Sequence, residues 1–165
     1  MNEEQIYEFM RLALQEAIQA AKEEEIPVGC VVVKDGKVIA SAHNTKEGSK
    51  NSLHHAEINA MNLACGAVGE KYLIGCSVFV TLEPCPMCLG AMLAYRIENL
   101  YFGAYEPKSG CAGSLYNLGA DERFNHRINV TGGVLENECA KVLKDFFAEK
   151  RKLAKKTLKG EGDIC

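Results

Sequence analysis

No apolar run in this chain approaches the length needed to cross a bilayer, so a spanning helix is not expected. The first residues, Met1-Asn2-Glu3-Glu4-Gln5, are acidic and polar. They lack the basic start and apolar centre of a secretory signal, which points to a cytoplasmic protein with no membrane partner. No linker, internal repeat or low-complexity stretch interrupts the 165 residues, a length that suits one domain with a full hydrophobic core. Strong charge of one sign is also missing: the total is −3, which argues against a surface that coats nucleic acid everywhere. The charge is divided, however. Glu3 to Glu25 holds seven acids and two bases, whereas Lys141 to Lys159 holds eight bases and two acids. One end of the protein can therefore meet phosphates although the whole is acidic.

Cysteine is plentiful but scattered. The eight thiols lie at 30, 65, 76, 85, 88, 111, 139 and 165, and only Cys85 and Cys88 are close neighbours. A chain this large and apolar does not need a disulfide framework. Cys30, Cys65, Cys76, Cys111 and Cys139 read as small hydrophobes in or near the core.

Periodicity supplies the elements. Ile6, Phe9, Met10, Ala13, Leu14, Ala17 and Ala21 fall at helical spacing, and that helix should stop before Pro27. Val31-Val32-Val33 and Val38-Ile39-Ala40 flank Asp35-Gly36, the signature of a tight β-hairpin. A polar loop over 45–52 leads to a helix through Ala56 to Ala64, followed by a buried strand over 77–82. Cys85 to Tyr95 reads as a helix, Leu100-Tyr101-Phe102 and Ile128-Asn129-Val130 as strands, and the residues between as mostly irregular. A final helix is expected from about Glu136 to about Lys156. The order implies an α/β protein with a largely parallel sheet covered by helices on both faces. The expected domain is 1–157, with a short flexible tail over 158–165.

Two motifs carry chemistry, His55-Ala56-Glu57 and Pro84-Cys85-Pro86-Met87-Cys88. Thiols three apart at the start of a helix share the face of its first turn, where unpaired N–H groups and the helix dipole favour thiolates. Pro86 fits there because a missing N–H costs nothing in a first turn. Such a pair alone could be half of a structural zinc site or a redox pair. A structural site needs two further ligands at comparable spacing, and no second Cys/His pair exists. A catalytic zinc takes three protein ligands and keeps a position open for water, so His55, Cys85 and Cys88 suffice. Glu57 favours that reading. Residues two apart point to opposite sides of a regular helix, so His55 and Glu57 converge only if they lean over its N-terminal end. Placed there, Glu57 stays off the metal and moves protons.

His-x-Glu followed by Pro-Cys-x-x-Cys resembles the signature of the cytidine deaminase superfamily. Over roughly the first 150 residues the chain is similar to the bacterial tRNA-specific adenosine deaminases. The similar stretches are Glu25-Ile-Pro-Val-Gly29, Asn44, His55-Ala-Glu57, Thr81-Leu-Glu-Pro-Cys85, Cys88, Phe102-Gly103-Ala104, Gly110, Ala112-Gly113-Ser114, Asn125-His126 and Asp145-Phe146-Phe147. The resemblance implies a three-layer α/β/α fold around a mixed, largely parallel five-stranded sheet. It also implies a homodimer with one zinc ion per subunit, and conversion of the wobble adenosine, position 34, of a tRNA anticodon to inosine. Carried over by position, Asn44 would hold the flipped base, with Val28 beside it among the substrate-binding residues. Lys108, Asn125, Phe146, Phe147 and Arg151 would meet the anticodon stem-loop. Three positions depart from the family pattern, His54, Tyr105 and Glu106, and they touch the rim of that RNA site. The alternatives are a deaminase of free bases, nucleosides or nucleotides, of guanine or cytosine type, with the same metal and the same glutamate. A non-catalytic zinc-bound RNA-binding module and a thiol-disulfide oxidoreductase stand further off.

Overall fold

The computed structural model describes residues 1–162, with side chains through Lys159. Helix α1 (Glu3–Lys22) opens on a reciprocal cap: Gln5 N–H donates to the Asn2 side chain and Asn2 N–H to the Gln5 side chain. It buries Phe9, Met10, Ala13, Ala17 and Ala20. The helix lies directly on strand β1 (Gly29–Lys34), because a β-carbon at Gly29 would stand 1.9 Å from the Ala13 carbonyl oxygen. Asp35 and Gly36, at φ 50° and 72°, form the two-residue turn that suits the right-handed twist of a hairpin, and β2 (Lys37–His43) returns along β1.

A single helical turn, α2 (Lys46–Ser49), sits within the polar loop that follows. The chain continues through α3 (Ala56–Val68), β3 (Cys76–Leu82), α4 (Pro86–Tyr95), β4 (Asn99–Ala104), β5 (Asn129–Thr131) and α5 (Glu136–Gly162). The sheet is mixed and five-stranded, ordered β2-β1-β3-β4-β5. Strand β1 pairs antiparallel with both β2 and β3, whereas β3–β4 and β4–β5 pair in parallel, so β1 alone opposes the other four.

Alternate residues of the central strands feed two cores. Val32, Val78, Val80, Leu100 and Phe102 meet Ala60, Met61, Leu89 and Met92 of α3 and α4. Val31, Val33 and Phe79 meet Phe9, Met10 and Ala13 of α1 and Cys139 of α5. The result is the expected three layers. Phe79 is fully buried and stacks on Tyr101 with ring centroids 4.5 Å apart. Burying a side chain of that size contributes about 1.5–3 kcal/mol. Cys30, Cys76, Cys111 and Cys139 are buried free thiols, as expected of small hydrophobes, and Cys65 is half-buried.

One helix boundary agrees with expectation and one differs. Helix α1 stops before Pro27 as expected, already at Lys22, where Glu24 turns into the left-handed region at φ 61°. Helix α5 runs past Lys156 to Gly162, since nothing in Lys155-Lys156-Thr157-Leu158-Lys159 stops it. Residues 163–165 of the expected tail lie outside the described residues.

His43, at the end of β2, ties the sheet to α1. Its ring nitrogens lie 2.7 Å from Glu16 and 2.9 Å from Glu23. Burial works against the charged ring, but the hydrogen bonds to the two carboxylates outweigh it and raise its pKa above the ordinary 6.5. A raised folded-state pKa stabilises the fold below the unfolded value, and that stability is lost as pH rises through the folded value. The thermal midpoint of His43→Gln should therefore fall furthest below wild type near pH 5.5, with the gap closing toward pH 8.5. An equal gap at both ends would remove the charged clamp.

Candidate active site

The loop between β2 and α3 prepares one half of the site. Asn44 is buried, donates from its amide to the Ile26 carbonyl at 3.0 Å, and accepts the Ala56 N–H at 2.8 Å. Ala56 is the first residue of α3, so Asn44 satisfies one of the first-turn donors that have no partner within the helix. The N-cap itself is His55, in extended backbone at φ −73° and ψ 154°, and its side chain makes no capping bond. The imidazole is thereby left free to point beyond the helix end.

The other half comes from β3. That strand ends at Leu82, Glu83-Pro84 breaks the chain, and Cys85 becomes the extended N-cap of α4 with Pro86 in its first turn. Cys88 follows one turn in and is fully buried. His55 Nδ1 lies 3.7 Å from Cys85 Sγ and 3.4 Å from Cys88 Sγ. Among the described residues these three make the one group of three or more His, Cys, Asp or Glu donors close enough to share an ion, with all ligand atoms within 4.8 Å.

The electrostatics fit a dication. Hydrogen bonding from Cys88, and then from His55, holds the Cys85 thiol down at about 4 against the effect of burial. Its hydrogen bond to Cys85 and its own burial push Cys88 up. The hydrogen bond to Cys85 raises His55. Two thiolates this close cannot both persist without a cation between them, and a zinc ion supplies that charge on the sulfur and nitrogen donors it prefers.

Glu57 stands in the first turn of α3, 4% exposed, and burial raises its carboxyl to about 7. It lines a small cavity of about 130 Å³ together with Val28, Asn44, His55 and Cys85. Ile26, Leu82 and Glu83 also line it, and Lys46, at the start of α2, and Ser109, between β4 and β5, complete the walls. Nothing at sequence level marked those two, because each is an ordinary polar loop residue.

The remaining expected site residues divide. Phe146 and Phe147 pack edge-to-face at 5.5 Å and line an open groove with Lys150, Glu47, Gly48 and Ile26. Ile26 also lines the central cavity, so groove and cavity adjoin. Arg151 is exposed on α5 next to that groove residue Lys150. Lys108 is exposed, one residue from Ser109. Asn125 lines a different cavity, with Tyr72, Leu93, Arg96, Phe124 and His126, and no metal-site residue takes part in it. Within one chain Asn125 is not brought to the metal donors.

The departures from the family pattern also find places. His54 bonds Ser49 at 2.8 Å and Asn51 at 3.1 Å, within the loop. Tyr105 packs edge-on to Phe102 at 5.0 Å, over Gly132, where a β-carbon would collide with both rings.

Comparison with known proteins agrees with this geometry. Residues 3–104 match the model of the cytidine and deoxycytidylate deaminase zinc-binding region. A tRNA-specific adenosine deaminase of Bacillus subtilis is 46% identical over 96% of this chain and 99% of its own length. A solved structure from a study of A-to-I editing by tRNA:A34 deaminases at the wobble position of transfer RNA superposes with a TM-score of 0.79. It is 40% identical and covers 82% of this chain and 99% of that one. A guanine deaminase of Bacillus subtilis superposes at 0.57, with 36% identity over 64% of this chain and 66% of that one. The three-donor site at two helix ends, the buried glutamate beside it and these matches have one reading: the chain belongs to the zinc-dependent cytidine and deoxycytidylate deaminase family, among relatives that are tRNA-specific adenosine deaminases.

Proposed function

We propose that the protein deaminates adenosine to inosine at the wobble position, 34, of a tRNA anticodon, working in the cytoplasm as a homodimer with one zinc ion per subunit. One observation carries the reading: Glu57 is buried beside the three metal donors, without being one of them, in a cavity that also holds Asn44. A metal site that only braced the fold would need no such glutamate.

His55, Cys85 and Cys88 hold the metal. Zinc on three protein ligands supplies a Lewis acid and makes water a nucleophile at neutral pH. Glu57 takes the proton of the attacking water, delivers it to a ring nitrogen of adenine and assists departure of the amino group as ammonia. Asn44 spends one amide N–H on Ile26 and its oxygen on Ala56, which leaves a second N–H to donate to the base. Its rigid anchoring fixes where that donor points. Val28 offers an apolar wall, and Phe146 and Phe147 offer ring faces for neighbouring bases.

A guanine deaminase would share the metal and the glutamate. The 36% identity to such an enzyme supports this second reading, but that match spans 64% of the chain, against 96% for the tRNA enzyme relative. Incubation with an anticodon stem-loop, followed by sequencing for inosine, decides between them. Free adenosine and guanine serve as competing substrates. The homodimer is the reading that the family resemblance implies. Light scattering of the purified protein tests it.

The basic end of α5 bears on the partner. Lys150, Arg151, Lys152, Lys155, Lys156 and Lys159 are all exposed, with no acid between Lys150 and Lys159. Phosphate contacts release counterions, with a slope of about −0.7 in log affinity against log salt for each contact on single strands. Replacing Lys150, Arg151 and Lys152 with alanine should weaken RNA binding and flatten that slope by up to about 2. Turnover of bound RNA should change little. Efficient turnover of a free nucleoside, independent of salt and of these substitutions, would defeat the RNA reading and leave the zinc chemistry standing.

A further inference from the structure

Glu83 is a buried carboxylate without a counter-ion. It is 2% exposed, sits two residues before Cys85, and makes no ion pair among the described residues. Its partners are instead three backbone N–H groups and one hydroxyl of a single loop. Oε2 accepts the Glu106 N–H at 3.0 Å and the Ser114 hydroxyl, and Oε1 accepts the N–H groups of Ala112 at 3.1 Å and Ser114 at 2.9 Å. Gly110 completes the wrap, since a β-carbon there would lie 2.3 Å from Glu83 Cδ. The neighbouring backbone adds to the tether: Cys111 N–H donates to the Pro84 carbonyl at 2.9 Å.

The loop held this way carries Ser109, which lines the cavity. A loop of this length closes at an entropic cost, and its exposed residues Pro107, Lys108 and Ser109 bury little to offset it. Four hydrogen bonds to one buried carboxylate offset it instead, because a charged acceptor strengthens each bond. The carboxylate and the ligand Cys85 lie on the same short segment, so the loop is registered to the metal donor and not merely to the body of the protein.

From this we infer that Glu83 is a positioning residue for substrate: it holds residues 106–114 as one wall of the base cavity, at a fixed offset from the metal. It is not one of the metal donors, and it too lines the cavity, beside the wall it holds. The inference rests on the RNA deaminase reading for its kinetic test. Without the clamp the wall samples open arrangements. If the competent arrangement falls to about a tenth, apparent affinity falls about tenfold, while the chemistry of a bound substrate is unchanged.

Glu83→Gln keeps the shape but sets an amide N–H against the loop donors. Gly110→Ala pushes the loop away while leaving the carboxylate intact. Each variant should keep one zinc per chain by elemental analysis, raise KM for the stem-loop by about tenfold and leave kcat within about threefold. Hydrogen exchange at the amides of Glu106, Ala112 and Ser114 should quicken in both, and the double variant should be no worse than the poorer single one. Ser114→Ala removes one bond and should show the same shifts, smaller, even if a stronger variant fails to fold. Unchanged KM and exchange would overturn the inference, as would loss of zinc or a fall in kcat at constant KM. A wild-type chain inactive on the stem-loop would defeat the substrate reading instead, and the exchange rates would still decide the clamp.

Discussion

Glu57→Gln should leave zinc content and RNA affinity intact while the rate of deamination falls by at least about 10²–10⁴, the usual contribution of a positioned proton-transfer group. Glutamine fills the same space in the first turn of α3, so the cavity and the three donors keep their places. What it cannot do is accept a proton from water and pass it on. The expected loss corresponds to about 3–5 kcal/mol of transition-state stabilisation. Stability should move the other way, if at all. Glu57 is 4% exposed, and a carboxylate taken out of water is costly to the fold, whereas a neutral amide is less so. A variant as stable as wild type or more so, loaded with zinc and nearly inactive, is thus the expected outcome. Elemental analysis, a thermal melt and single-turnover assays on the stem-loop measure the three quantities. Normal turnover would take Glu57 out of the mechanism, and loss of zinc would make it a ligand.

The placement of Glu57 was legible because helix geometry left a single solution. Side chains two apart diverge on a regular helix, and His55 escapes that rule by being the N-cap, in extended backbone, with Glu57 just inside. The hairpin was legible for a similar reason, since Asp35-Gly36 suits both left-handed positions of the turn. The layers followed from strands whose successive residues feed opposite cores, Val31 one way and Val32 the other. What stayed hidden has a common cause: the partners are distant in sequence and are often backbone. Glu83 binds N–H groups 23 to 31 residues away, and Glu25 binds those of Glu47 and Gly48. An isolated glutamate carries no mark of that. His43 meets Glu16 and Glu23 across 27 and 20 residues, again with no local pattern. The run of α5 beyond Lys156 was missed because helix ends are read from stop signals, and none lies between Lys155 and Lys159. Asn125 is assigned to the RNA surface by resemblance alone, and within a single chain it lines a cavity apart from the metal donors.

Cys88→Ala should strip the metal and lower the thermal midpoint, because Cys88 is a fully buried donor at the centre of the cluster. Two donors remain, and neither Cys85 nor His55 can move far, since each is the N-cap of a packed helix. With the metal gone, those two side chains keep the desolvation cost of the site and lose the cation that offset it. Binding to the folded state alone stabilises by about 4 kcal/mol when free zinc stands a thousandfold above its Kd. In a chain of this length that is a fall of about 10 °C in Tm, and it should match the fall produced in wild type by a strong chelator. Agreement between the two falls is the informative part. It would mean that the variant suffers from the missing ion more than from the cavity left by one small side chain, which by itself costs far less than a deleted leucine. The oxidoreductase alternative makes the contrary forecast: no metal in the purified wild type, no effect of chelator, and a reversible Cys85–Cys88 disulfide that shifts the melt with redox potential. A full complement of zinc that resists mild dialysis, lost together with activity in Cys88→Ala, leaves that alternative no thiol pair to work with, because both sulfurs are already committed to the ion.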